Sequence, residues 1–173
     1  MSSIKGTELK LHKVFSSDFQ FEIPDYQRPY SWHVEHAEEL FDDLWTFHVP
    51  EDNSEEYFLG SIVLIKSGSS NQADVVDGQQ RLTTLTILLA AIRDRLSGDP
   101  IWGGAFDKYI MEPGDVTLDL SAKPRLFLRK KDREFFETYI QRPGGINEMD
   151  NLDVSRYKDS KLNLINNARA LRD

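Results

Sequence analysis

The residues best suited to chemistry lie in one short stretch, Asp77-Gly78-Gln79-Gln80-Arg81. A carboxylate such as Asp77 can hold Mg²⁺ or orient an attacking water, and phosphoryl transfer depends on both functions. A guanidinium at a helix start adds paired donors to the free backbone N–H groups, so Arg81 is the first candidate for a phosphate contact. Simpler roles stay open, namely Asp77 as a helix N-cap and Arg81 in a surface ion pair with Asp77 or Asp25.

A strand and a helix must position this stretch. Residues Ala73 to Val76 form a short β-branched run typical of a buried strand, and Gly78 permits a sharp turn after it. Apolar residues then recur at helical spacing from Gln79 to Leu96, which predicts a core-facing helix. The free N–H groups of its first turn therefore favour an anion beside the polar residues.

A second strand is predicted immediately upstream. Tyr57 to Ile65 is the strongest strand pattern in the chain, and Lys66 to Gln72 reads as an exposed loop that would complete a hairpin. Gly60 and Ser61 are candidates for the floor of a pocket, although a β-bulge would also explain Gly60.

A proline-rich loop is the second candidate for binding. Ile23 to Trp32 contains two prolines, which exclude regular helix and stiffen the backbone. Between them the loop displays Tyr26, Gln27 and Arg28, whereas Tyr30 and Trp32 are expected to anchor it by packing.

The remaining chain predicts an α+β fold, a small mixed sheet with helices around it. A short helix is expected before Phe15, a strand at Phe19 to Ile23 and another at Arg125 to Leu128. Helical patterns cover residues 33–48, 102–111, 131–141 and 156–171.

Composition excludes several classes of function. The 173 residues include no cysteine, so disulfides, thiolate metal sites and cysteine nucleophiles are absent. No stretch suits a signal peptide or a bilayer span, and we expect a soluble, cytoplasmic protein. A P-loop motif is missing as well, so any nucleotide hydrolysis would be of another kind.

Charge is distributed unevenly along the chain. The net charge is −8, and the segment from His33 to Ile65 holds no Lys or Arg. One basic cluster could meet DNA phosphates, although a solvated helix start explains it more simply. Its members are Arg125, Arg129, Lys130, Lys131 and Arg133.

Three separated motifs resemble the N-terminal domain of GmrSD-type modification-dependent restriction enzymes and related phage-defence proteins, a family with a ParB/sulfiredoxin-like fold. The motifs are Ile23-Pro24-Asp25-Tyr26-Gln27-Arg28-Pro29-Tyr30-Ser31-Trp32, Tyr57-Phe58-Leu59-Gly60-Ser61-Ile62-Val63 and Asp77-Gly78-Gln79-Gln80-Arg81-Leu82-Thr83-Thr84-Leu85. A weaker similarity at Arg125 to Phe136 extends the resemblance over most of the chain.

The resemblance implies a module that binds and hydrolyses a nucleoside triphosphate with Mg²⁺ and thereby licenses DNA cleavage by a C-terminal HNH-type nuclease domain. It implies catalytic roles for Asp77, Gln79, Gln80 and Arg81, with Asp77 as the metal ligand. It implies nucleotide contacts from Tyr26, Gln27, Arg28, Gly60, Ser61, Gly78 and Arg81. A homo-oligomer is left open.

The expected organisation is a nucleotide-binding core over residues 1–122 and the start of a helical extension over residues 123–173, ending before the nuclease domain. The four histidines, all within the first third of the chain, do not suit an HNH site, so no nuclease activity is expected from this chain alone. The alternative function is a non-enzymatic DNA-recognition or docking module, in which Arg28, Arg81 and the basic cluster contact phosphates.

Overall fold

The computed structural model describes residues 5–48, 57–66, 68 and 70–173. Within these residues the strands are β1 (Gln20–Glu22), β2 (Val63–Lys66), β3 (Gln72–Asp77), β4 (Met111–Glu112), β5 (Lys123–Pro124) and β6 (Leu126–Phe127). The α-helices of the same ranges are α1 (Leu11–Val14), α2 (Val34–His48), α3 (Gln79–Arg95), α4 (Pro100–Ile110), α5 (Lys130–Phe136), α6 (Gly145–Glu148) and α7 (Asp159–Arg172). A π-helical turn at Glu137–Gln141 continues α5.

The main sheet has four strands in the order β2-β3-β1-β6. Strand β1 lies in the middle and pairs in parallel with both β3 and β6, whereas β2 pairs antiparallel with β3 at one edge. Strands β4 and β5 form a separate antiparallel pair. This mixed sheet with surrounding helices confirms the predicted α+β class.

The topology brings three loops together. Because β1, β3 and β6 run in the same direction, their carboxyl ends lie along the same border of the sheet, which we call its carboxyl edge. The proline-rich loop follows β1, helix α3 follows β3 and helix α5 follows β6. Ligands of open sheets with parallel strands bind in the crevice outside these carboxyl ends. This edge is therefore the part of the fold best placed to hold a site.

Helix α3 is the central helix of the core. It packs against α4 and α7, and side chains all around it are buried, which is typical of a helix enclosed by others rather than of an amphipathic one. Its buried residues include Thr83, Thr84 and Thr86, whose hydroxyls avoid the cost of an unpaired group because each donates to the carbonyl one turn earlier, at 2.8 to 2.9 Å. Burial of α3 is broader than the predicted apolar stripe.

The predicted helices and the hairpin are confirmed, with one correction upstream of β2. The strand expected over Tyr57 to Ile65 begins only at Val63, so the prediction was wrong for residues 57–62. Gly60 adopts φ +98°, which breaks extended structure, and the segment crosses the start of α3 instead of extending the sheet.

The C-terminal segment is joined to the rest of the core. Strand β6 extends the main sheet, and Phe136, Ile140, Leu164 and Ile165 belong to the same buried cluster as Phe21. The boundary at residue 122 stays a prediction about domain organisation. Among the described residues, no helix combines the length and apolarity needed to cross a membrane.

Candidate functional site

The start of α3 is an open helix end. Gly78 is the N-cap with φ +87°, and no side chain of the described residues caps the first turn. Asp77 is the last residue of β3 and is exposed, so its carboxylate does not serve as the cap that the sequence left open. A helix start without a side-chain cap is a site type that suits an anion.

Two glycines let the upstream segment pack on this turn. A Cβ added to Gly60 would lie 2.7 Å from Nη1 of Arg81, and one added to Gly78 would lie 3.1 Å from the Ser61 carbonyl oxygen. A Cβ at Gly60 would require the Arg81 guanidinium to shift, and one at Gly78 would make a tight contact; both residues also have a positive φ, which favours glycine. The structure thus brings together four of the predicted residues, Gly60, Ser61, Gly78 and Arg81.

Tyr57 ties the beginning of this segment to helix α2. Its hydroxyl donates a short hydrogen bond to the carboxylate of Asp43. This contact raises the pKa of Tyr57 above its ordinary value. The segment that carries Gly60 is therefore held at both ends, by Tyr57 upstream and by β2 downstream.

The side chains of Gln79 and Gln80 contact the proline-rich loop and are not exposed to solvent. They are 5% and 4% exposed. Gln80 accepts from the Ser31 N–H at 2.8 Å and donates to the Pro29 carbonyl at 3.0 Å, so both ends of its amide are used. Gln79 donates to the Arg28 carbonyl at 3.1 Å. Both amides therefore connect the stretch from Asp77 to Arg81, called here the DGQQR stretch, to the loop. Their catalytic roles stay predictions.

The loop presents other side chains outward. Tyr26 is 75% exposed and Arg28 is also exposed, whereas Gln27 donates to the Val76 carbonyl at 3.1 Å. Since Val76 precedes Asp77, this bond places the loop beside the carboxyl end of β3. The structure supports the predicted proximity of the two motifs.

Asp25 fastens the other side of the loop to α5. Its carboxylate accepts from the Lys130 backbone N–H at 2.9 Å. This bond, together with the positive charges of Lys130 and Arg133, holds the pKa of Asp25 below its ordinary value. Asp25 is thereby engaged away from Arg81.

A buried polar network anchors the loop from below. The Tyr30 hydroxyl lies 2.8 Å from Oγ1 of Thr84 and accepts from Nδ2 of Asn167 at 2.6 Å. Asn167 also donates to the Trp32 carbonyl at 2.8 Å. Asn167 therefore joins helix α7 to the loop, and Tyr30 joins the loop to helix α3. Sequence reasoning placed Tyr30 as a packing residue but missed Asn167, which only its position within an apolar helical pattern would have indicated.

Burial of Tyr30 makes the folded state lose stability at alkaline pH. Desolvation raises the pKa of Tyr30 from 10.0 to about 12. The unfolded chain loses this proton first, so the stabilisation is complete below pH 10 and is lost as the pH rises toward 12. Between pH 9 and pH 12 we expect the free energy of unfolding of wild type to fall by about 2 kcal/mol more than that of Tyr30→Phe. Urea unfolding followed by circular dichroism at each pH measures the difference.

The matched control for this pH series is Tyr26→Phe, which removes a hydroxyl from an exposed ring of the same loop. Its pH dependence should follow wild type. A Tyr30→Phe profile that coincides with wild type would contradict the assignment.

The basic cluster is divided between the interior and the surface. Arg125 is 6% exposed, donates to the Lys108 carbonyl and forms an ion pair with Glu112. The other pairs are Arg129 with Asp132 at 2.8 Å, Lys130 with Asp25 at 3.5 Å and Arg133 with Glu22 at 2.9 Å. Lys131 is exposed. The structure does not gather these five residues into one exposed surface, because Arg125 lies inside.

Metal binding near the start of α3 would require a bound phosphate in addition to protein side chains. Within the described residues, no group of three or more acidic or histidine side chains could hold an ion. Mg²⁺ is commonly bound by one or two carboxylates together with substrate phosphates, and the exposed carboxylate of Asp77 fits that requirement. Asp77 would hold the ion only with a phosphate beside it.

Comparison with known proteins identifies the family of the chain. No curated protein matches the chain. A family model described as the N-terminal domain of the GmrSD restriction endonuclease matches residues 11–173. The match includes the proline-rich loop, the DGQQR stretch and all the elements that position them. The chain therefore belongs to the family of GmrSD restriction endonuclease N-terminal domains.

Proposed function

We propose that this chain binds a nucleoside triphosphate with Mg²⁺ at the start of α3, hydrolyses it, and thereby licenses cleavage by a separate HNH-type nuclease domain. Family membership supports a part in a restriction endonuclease system, which implies DNA and a nuclease domain in the full-length proteins. The nucleotide step is our proposal from the site itself.

The observation that carries the proposal is the position of Arg81. Its guanidinium lies against Gly60 beside an uncapped helix start, at the edge where the parallel strands end. Backbone N–H groups, the helix dipole and a guanidinium then act on the same anion. Arg28, exposed on the neighbouring loop, would supply a second positive charge.

Asp77 would supply the acidic function. It ends β3 directly before the helix start and is exposed, so a phosphate bound to the first turn would bring Mg²⁺ within reach of its carboxylate. Phosphoryl transfer relies on charge neutralisation and on the positioning of water. Asp77 and the ion would neutralise charge and position the attacking water, and Arg81 would neutralise charge on the phosphates.

The DNA-recognition alternative has less support from the geometry. Backbone binding needs several unpaired cations on one surface. Of the five residues in the basic cluster, Arg125 is buried and three others are paired with Asp132, Asp25 or Glu22. We therefore keep DNA binding by this chain only as an outcome of the experiment below.

The test is calorimetric titration of ATP, GTP, CTP and UTP, each with Mg²⁺, into wild type and into Arg81→Ala. Loss of a charge-assisted phosphate contact is worth about 1.5 to 3 kcal/mol, so we expect affinity to fall roughly 10- to 100-fold. The matched control is Arg95→Ala, which removes the same side chain from the exposed last turn of the same helix. It should bind as wild type does.

Two results would overturn the proposal. One is the absence of any saturable nucleotide binding to wild type. The other is equal weakening by Arg81→Ala and Arg95→Ala, which would indicate a general charge effect. If DNA alone binds, with an affinity that falls steeply with salt, the DNA-recognition function takes its place.

A further inference from the structure

Helix α7 holds the downstream end of the proline-rich loop. Asn167, which is 0% exposed, donates to the Trp32 carbonyl at 2.8 Å and to the Tyr30 hydroxyl at 2.6 Å. Both residues lie where the loop leads into α2. Asn167 therefore fixes this end of the loop from inside the core.

A buried chain of polar contacts joins the same helix to the upstream half of the loop. The Ser160 hydroxyl donates to one oxygen of Asp132 at 2.6 Å, and the other oxygen accepts from the Arg129 guanidinium at 2.8 Å. Arg129 also donates to the Gln27 carbonyl at 3.4 Å. Since Ser160 and Asp132 are 7% and 3% exposed, water competes little for the bond between them. Helix α7 thus acts on the loop on both sides of Arg28.

The backbone of Arg28 is fixed between these two connections, whereas its side chain is free to meet a ligand. The residue is exposed, and its carbonyl accepts from Nε2 of Gln79 at 3.1 Å. A charged group loses less entropy on binding when the backbone that carries it is already in place. Loosening of either connection would therefore let the guanidinium move away from a phosphate at the start of α3.

We propose that Asn167 and Ser160 are positioning residues of the nucleotide site, which act on Arg28 through the proline-rich loop. This inference rests on the proposed function. It also makes the coupling reciprocal: because α7 holds the loop in its binding conformation, a bound nucleotide stabilises the contacts between α7 and the loop. A displacement of α7 would weaken nucleotide binding, so this helix is the regulatory element of the site.

The first test is a double-mutant cycle on nucleotide affinity, measured by calorimetry with ATP, GTP, CTP and UTP, each with Mg²⁺. We expect Asn167→Leu to weaken binding about 10-fold in wild type but less than about 2-fold in Arg28→Ala, because its effect passes through Arg28. Asn166→Leu makes the same change at the neighbouring, exposed position of α7 and should bind as wild type does. Ser160→Ala is a milder change and should show the same dependence on Arg28, which keeps the test available if Asn167→Leu does not fold.

The second test requires no variant. In hydrogen exchange followed by mass spectrometry, saturating nucleotide should slow exchange of wild-type peptides covering residues 159–172 by about 3-fold or more. Helix α4 is the control, because it also packs against α3 but its hydrogen bonds lead to Arg93 and Arg125 instead of the loop. Peptides covering residues 101–110 should exchange at the same rate with and without nucleotide.

The outcomes separate this inference from the proposed function. Equal weakening by Asn167→Leu in wild type and in Arg28→Ala would assign Asn167 a merely structural role and overturn the inference. Unchanged exchange of α7 in the nucleotide complex would overturn it as well. In both cases wild type still binds nucleotide, so the proposed function stands. If wild type binds no nucleoside triphosphate, the proposed function fails and this inference fails with it.

Discussion

We expect Arg93→Met to lower the free energy of unfolding by about 3 to 5 kcal/mol. Arg93 is 3% exposed and its guanidinium is fully used. It donates to Asp94 and Asp107 and to the backbone carbonyls of residues 140–142, at 2.7 to 3.1 Å. Removing the cation leaves the buried carboxylate of Asp94 with only the backbone N–H groups of Gly144 and Ile146 and removes a donor from each carbonyl, and both effects destabilise the folded state.

Urea unfolding followed by circular dichroism measures this loss. Arg95→Met is the matched control, because Arg95 lies two residues further along the same helix and is exposed. Substitutions at such surface positions usually change stability by less than about 0.5 kcal/mol. A loss below about 1 kcal/mol for Arg93→Met would show that the network around Arg93 is not a main support of the fold.

Gln80→Leu should have the second largest effect, and it should act on the loop as well as on stability. The substitution leaves the Ser31 N–H and the Pro29 carbonyl without partners. Both groups belong to exposed residues that water reaches, and each lost hydrogen bond is worth about 0.5 to 1.5 kcal/mol, so we expect a total near 2 kcal/mol. We also expect nucleotide affinity to fall at least 10-fold, because the loop that carries Arg28 loses two of the hydrogen bonds that hold it beside α3.

Hydrogen exchange measured by mass spectrometry localises this second effect. Peptides covering residues 23–32 should exchange faster in Gln80→Leu, while those from the middle of α3 should keep wild-type protection. Gln72→Leu, the same change at an exposed position on β3, is the control and should leave both regions unchanged. Unaltered exchange of the loop in Gln80→Leu would refute the view that this amide holds it.

Periodicity predicted most of the helices because burial imposes it directly. Helices α2, α3, α4 and α7 lie where apolar residues recur at helical spacing, and the hairpin β2-β3 lies where two β-branched runs flank a polar loop. The proximity of the proline-rich loop to the DGQQR stretch came from family resemblance instead. Nothing local in the sequence encodes contacts such as Gln27 with Val76.

Side-chain direction is the part that the sequence could not supply. Polar residues at the start of a helix suggest exposure, yet Gln79 and Gln80 are buried because the loop covers them. Arg125 looked like part of a basic surface, but it lies inside beside Glu112. The extended pattern of residues 57–62 was overridden by packing against Arg81. In each case a contact distant in sequence decides the outcome.

The parallel pairing of β1 has a consequence for how the chain is made. Residues 20–22 leave the ribosome early, yet their partners at 72–74 and 126–127 follow much later. Strand β1 therefore has both sides unpaired until residues 72–74 follow, and one side unpaired until residues 126–127 follow. Such non-local pairing slows folding and leaves strand edges open to wrong partners. The nascent chain is therefore sensitive to aggregation until β6 pairs with β1 and completes the sheet.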